Sequence, residues 1–108
     1  MITLPIAVSS NGANALIAGV PGKVIRVFGW SISANGTVNV KFQSSVTPTD
    51  LTGYRYMVVN NVWDQPLAPM RVATAPPYFE TLAGEGLTLF LSGAIACGGF
   101  VCYEITPV

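Results

Sequence analysis

Nowhere along this chain does an apolar period of 3.6 residues last three turns; short runs rich in β-branched and aromatic residues instead alternate with turn-forming dipeptides. That punctuation denies a helix its buried stripe and fits strands. The clearest run is 23–34, Lys-Val-Ile-Arg-Val-Phe-Gly-Trp-Ser-Ile-Ser-Ala, which Asn35-Gly36 joins to 37–43. Asn-Gly between two such runs predicts a two-residue hairpin, because both residues tolerate the positive φ of a type I′ turn. In 37–43, Val38, Val40 and Phe42 alternate with Thr37, Asn39, Lys41 and Gln43, so one face is expected to be buried. The 23–34 run is apolar on both faces. Val24, Arg26, Phe28, Trp30 and Ile32 point one way and Lys23, Ile25, Val27, Gly29 and Ser31 the other, as in a central strand whose outer face is also covered.

Elsewhere the same signals are weaker but regular. Residues 2–8 form the first expected strand, and Pro5, having no N–H to donate, makes it an edge strand or an extended arm. A turn at Asn11-Gly12 leads to a strand over 15–20, which Pro21-Gly22 ends with the chemistry of a type II turn. Further strands are expected over 53–59, 78–82, 87–92 and 99–106, with a turn at Ala83-Gly84-Glu85-Gly86. Residues 60–77 hold four of the eight prolines and admit one short strand at 70–74. About eight short strands predict an all-β fold, a single domain over residues 1–108 built as a two-sheet antiparallel sandwich. The widely spaced Cys, Trp and Cys of immunoglobulin domains are missing, so a jelly roll of about eight short strands is the expected form.

Charge limits what such a sandwich can do. The chain has five basic and five acidic residues and no histidine, where an ordinary domain carries about a quarter charged residues. Its exterior must be assembled from small polar, glycine and apolar groups, a surface suited to meeting other protein. Net charge is zero and Lys23, Arg26, Lys41, Arg55 and Arg71 are scattered, which provides no electrostatic footprint for nucleic acid. The most apolar stretch, 87–100, is broken by Thr88, Ser92, Gly93, Gly98 and Gly99, so no membrane-spanning helix is expected. Met1-Ile2-Thr3-Leu4-Pro5 has no basic region ahead of an apolar block and does not read as a signal peptide.

No residue pattern names a reaction. Without histidine the Ser-His-Asp and Cys-His arrangements cannot be built. Asp50, Asp64, Glu80, Glu85 and Glu104 are far apart in sequence, and Glu85, between two glycines, is expected to face solvent. Cys97 and Cys102 fall on opposite faces of one extended segment, are read as free buried thiols, and match no zinc spacing. Catalytic residues, cofactors and metals are therefore not expected. Trp30 is expected in the core. Candidate contact residues come from the arm (Ile2, Leu4, Pro5, Ile6) and from the proline-rich stretch (Trp63, Pro66, Leu67, Met70, Arg71, Tyr78, Phe79). Apolar, proline-restricted segments lose little entropy on docking, and Trp and Arg are favoured at binding hot spots.

Two stretches carry a resemblance. Val20-Pro21-Gly22-Lys23-Val24-Ile25-Arg26-Val27 opens a strand with Ser31, Ser33 and Ala34, and Glu80-Thr81-Leu82-Ala83-Gly84-Glu85-Gly86-Leu87-Thr88-Leu89 precedes Ser92. Their order, with a final Gly-to-Tyr strand, covers nearly the whole chain and resembles small β-sandwich proteins of tailed bacteriophages, in particular capsid decoration or cement proteins. The resemblance implies a jelly-roll structural protein of the virion, on the capsid exterior and made in the host cytoplasm. It further implies the major capsid protein and other copies of the chain, as dimer or trimer, for partners. The alternative is a carbohydrate-binding or structural module of a phage fibre or tail, in which exposed aromatics flanked by Asp, Asn or Arg would hold a sugar.

Overall fold

The computed structural model describes residues 2–46, 48–65 and 76–108. Ten strands and no helix are found among them: β1 (Ile2–Val8), β2 (Gly12–Ile17), β3 (Lys23–Ala34), β4 (Val38–Ser44), β5 (Thr49–Asp50), β6 (Arg55–Met57), β7 (Val62–Gln65), β8 (Phe79–Glu80), β9 (Leu87–Leu91) and β10 (Cys97–Pro107). All pairs are antiparallel, and they form two sheets. Sheet A runs β1-β10-β3-β7, with β8 also on β3; sheet B runs β2-β9-β4-β5, with β6 also on β4. The pairing is nested: β1 with β10, β2 with β9, β3 with β7 and β8, β4 with β5 and β6. It is one long hairpin rolled up so that β10 meets β3 and β9 meets β4, which is the jelly roll. Ten strands appear in place of about eight because two positions are each filled by a pair of short strands.

The sequence expectations fare differently along the chain. β1 and β3 have the expected bounds, and β1 with its Pro5 is an edge strand of sheet A rather than a free arm. The Lys23 N–H donates to the Val20 carbonyl at 3.1 Å across the Pro21-Gly22 turn, where Gly22 has φ +73°. Asn35-Gly36 is a correction. β3 and β4 lie in different sheets and neither residue has positive φ, so the segment crosses between layers instead of closing a hairpin. Asn35 N–H donates to the Ala96 carbonyl, and a Cβ on Gly36 would sit 3.2 Å from the Ile95 side chain, so close approach explains the glycine. The second strand starts and ends earlier than expected, at Gly12–Ile17. The 53–59 strand shrinks to Arg55–Met57 and the 78–82 strand to Phe79–Glu80. β7 arises within the stretch read as irregular, whereas the strand expected over 70–74 lies outside the described residues.

β3 explains why neither of its faces looked polar. Its register to β10 slips once: Cys102 pairs with Gly29 but Tyr103 with Val27, leaving Phe28 as the extra residue of a bulge. A one-residue slip exchanges the faces. Ile25 and Val27 point inward before the bulge, and Trp30, Ile32 and Ala34 after it; all five belong to the core cluster. From sheet B, Val38, Val40, Phe42, Leu87, Leu89 and Leu91 meet them, each 2 % exposed or less. A second bulge at Leu16 in β2 does the same for Ile17. Across the layers the Trp30 and Phe42 rings pack edge to face with centroids 5.2 Å apart. Trp63, Tyr78 and Phe79 close around Trp30 at 5.2–5.4 Å.

Hydroxyl groups complete the ladders where strands break off. Thr81 Oγ1 accepts from the Ile25 N–H while its own N–H donates to the Ile25 carbonyl, a pairing that mimics one rung. Ser92 does the same for Asn39, and Thr52 with the Leu51 N–H does it for Phe42. Each supplies a partner to a backbone group that would be costly to bury alone.

If the Trp30 cluster fastens the sheets, Trp30→Ala should destabilise the protein by about 3–5 kcal/mol in urea denaturation. Phe100→Ala, 41 % exposed on the outer face of sheet A, should stay within about 0.5 kcal/mol.

Candidate functional site

The contact residues expected from sequence do not form one surface. β1 and β7 occupy opposite edges of sheet A with β10 and β3 between them, a separation of about 14 Å. Ile6 is in the core and Leu4 packs against it, so the first strand is part of the fold, while Ile2 and Pro5 are exposed. Trp63 and Phe79 pack on the core, their rings turned to Trp30, and Tyr78 touches Trp30 while remaining half exposed. Pro66, Leu67, Met70 and Arg71 lie outside the described residues.

Glu85, Glu80 and Asp50 have structural partners. Glu85 does not face solvent as expected: its Oε1 accepts from the Ser44 hydroxyl at 2.8 Å and from the Val46 N–H at 3.0 Å. Ser44, fully buried, in turn accepts from the Leu82 N–H, so the Ala-Gly-Glu-Gly turn is stitched to the end of β4. Glu80 pairs with Arg26 at 3.0 Å, and Asp50 with Lys41 at 3.1 Å. No cluster of three metal-ligating side chains occurs among the described residues. Cys97 and Cys102 are free and buried on opposite faces of β10, Cys97 in the core and Cys102 beside the Thr3 hydroxyl. Burial pushes the Cys97 thiol up, away from the reactive thiolate.

What stands out is apolar exposure in one continuous piece of chain. Total accessible surface is 5724 Å², against about 5,800 Å² expected for this mass, so the surface is ordinary in extent and unusual only in composition. Tyr54, Tyr56, Val58, Val59 and Val62 are 40–74 % exposed. They divide into two surfaces.

The first is a ridge. The Asn61 N–H donates to the Val58 carbonyl at 3.0 Å, and Asn60, third in this four-residue turn, has φ +64°. That arrangement is a type II turn, which needs a residue tolerant of the left-handed region at its third place. Asn60 is anchored by donating its N–H to the Ala34 carbonyl at 3.0 Å. Val58 and Val59 are thereby held outward, and Asn60, Asn35, Ser33, Cys97 and Gly98 line an adjoining depression of about 370 Å³. Val62, opposite Ser33 on β7, continues the ridge onto sheet A.

The second is the outer face of sheet B. Lys41 stands opposite Phe90, Gln43 opposite Thr88, and Asn39 opposite Tyr56. Lys41 Nζ lies 4.4 Å from the Tyr54 ring centroid and 5.2 Å from that of Phe90. Tyr54 lies 6.4 Å from Tyr56 and 6.3 Å from Phe90. Asp50 holds the lysine and also accepts from Gln43 Nε2 at 2.8 Å. Hydrogen bonds from Gln43 and then Lys41 lower the Asp50 carboxyl below its ordinary 3.8. Of these two surfaces only Asn60 and Val62 fall within the 60–79 stretch expected to make contacts, and neither is among the individual residues named from sequence. The available signal was that Tyr54, Tyr56 and Val58 alternate with Arg55, Met57 and Val59, leaving no plainly polar face.

Two measurements check this geometry. Asn60→Ala should cost about 1 kcal/mol through its left-handed backbone, and Asn60→Gly should be close to neutral, both read by denaturant midpoint. Asp50 should titrate below 3.8 by carboxyl NMR. Its stabilising contribution is then complete above that pH and lost as pH falls through the folded value; Gln43→Ala should raise the midpoint more than Lys41→Ala.

No protein-family model, curated protein or solved structure matches the chain.

Proposed function

We propose that this protein is a structural subunit that docks onto a larger protein shell, specifically a decoration or cement protein on the outside of a tailed-bacteriophage head. The observation that carries the reading is the rigid Val58-Val59 ridge beside its depression, on a molecule with ten charged residues in 108. Isolated apolar residues on a surface are ordinary, but a turn that holds two adjacent valines outward next to a concavity is suited to protein contact. The turn's fixed backbone also lowers the ordering cost of binding. Resemblance of the Pro-Gly-Lys and Ala-Gly-Glu-Gly segments to decoration proteins supplies the identity of the shell, with the major capsid protein as partner. The subunit would be made in the host cytoplasm and act after docking, adding contacts across capsomer boundaries that must break before the shell ruptures. Modest contacts suffice when identical copies engage many equivalent sites.

Co-sedimentation with purified heads lacking this protein tests the reading. Wild-type protein should saturate a fixed number of sites, and Val59→Lys should weaken binding about tenfold or more. Val108→Lys, at the opposite end of β3 where the Val108 N–H meets the Gly22 carbonyl, should bind as wild type. Failure of wild-type protein to sediment with heads would remove the proposal.

A further inference from the structure

We infer that the outer face of sheet B is the surface through which two copies of this chain pair, sheet to sheet, about a two-fold axis. The inference deepens the assembly reading above and rests on it for the premise that the apolar exterior is meant to be covered.

Charge decides which face can meet its own copy. Among the described residues the outer face of sheet A carries Arg26, Asp64, Glu80 and Glu104, with Glu80 and Glu104 flanking Arg26 across the strands. Its excess of acid would be doubled by a two-fold axis. On sheet B the outward-pointing residues of the ladder are Ala13, Ala15, Asn39, Lys41, Gln43, Asp50, Tyr56, Thr88 and Phe90; Gln43 and Thr88 are buried beneath their neighbours, Ala13, Ala15, Asp50 and Tyr56 are exposed, and the one cation and one anion among the nine are already paired at 3.1 Å. A net-neutral surface with an internal ion pair is compatible with an identical surface, because it brings no unpaired charge to the contact.

Area and rigidity agree. The molecule measures 37 × 33 × 21 Å, the short dimension being that of two stacked sheets with their outer side chains. A broad face on that scale accommodates the roughly 800 Å² per partner of a standard interface. Tyr54 and Phe90 are held through Lys41, Lys41 by Asp50, and Asp50 by Gln43. The aromatic surface is therefore fixed before binding. Tyr56, 74 % exposed beside it, is the anchor that a partner would cover.

Sedimentation-velocity ultracentrifugation of the full chain, without capsids, tests the pairing separately from head binding. Wild-type protein should show a concentration-dependent monomer–dimer equilibrium. Tyr56→Lys should weaken the dimer about tenfold or more, since it removes the anchor and brings two unpaired charges to the contact. Phe100→Lys on the outer face of sheet A should leave the equilibrium unchanged, with an unaltered unfolding midpoint confirming that both variants fold. A wild-type protein that stays monomeric to millimolar concentration overturns the inference, as does a dimer lost in Phe100→Lys but kept in Tyr56→Lys. A monomer that binds a neutral oligosaccharide through Tyr56 also overturns it, making the face a sugar platform.

Discussion

Trp30 reaches the interior only because β3 slips by one residue at Phe28. With unbroken alternation from Ile25 and Val27, the strand would present Gly29 and Ser31 to the core, and Trp30, Ile32 and Ala34 would face outward. The bulge puts the indole opposite Phe42 on the other sheet, and the rings of Trp63, Tyr78 and Phe79 gather on it. Edge-to-face pairs of this kind add to the apolar area they bury. The short strands β7 and β8 have few ladder rungs of their own, so they owe their place to that cluster. The whole open side of the jelly roll therefore depends on one irregularity in its longest strand.

Few charges shape the rest. Side-chain hydroxyls from Ser44, Thr52, Thr81 and Ser92 take up backbone or carboxylate partners where the ladders stop. Two ion pairs, Arg26–Glu80 and Lys41–Asp50, involve four of the ten charged side chains, and Glu85 is committed to the 44–46 turn. Little charge remains to hold folded copies apart. The exposed valines and tyrosines of 54–62 accord with that shortage, and under the proposed docking they would be covered instead of solvated.

How much was legible depended on whether the information was local. β1, β3 and the Pro21-Gly22 turn could be read because proline, glycine and alternating side chains act within a few residues. Inward Val38, Val40, Phe42, Leu87, Leu89 and Leu91 could be read for the same reason. The jelly roll itself followed from strand count and the lack of an immunoglobulin signature. Asn35-Gly36 is ambiguous because a tight hairpin and a crossing between stacked sheets have similar local sequences; what separates them is distant in the chain, the strands that β3 and β4 each pair with and the close approach of Gly36 to Ile95. The phase of β3 was hidden because a bulge is defined by the partner strand. Trp63 and Phe79 read as surface groups because prolines surround them, but their direction is set by Trp30, more than thirty residues away in sequence. The Asn60 turn carried no such cue, since its left-handed residue is not glycine.

The functional account joins a rigid apolar ridge, a neutral aromatic sheet face and a scarcity of charge into one claim, that this jelly roll works by covering and being covered. Its most direct test is a cryo-electron-microscopy reconstruction of the phage particles proposed to carry the protein. The account predicts sandwich-shaped density on the outside of the head at fixed capsomer boundaries, with the Val58-Val59 turn against the shell. Absence of the chain from purified particles, or density in which that turn points into solvent, would contradict it.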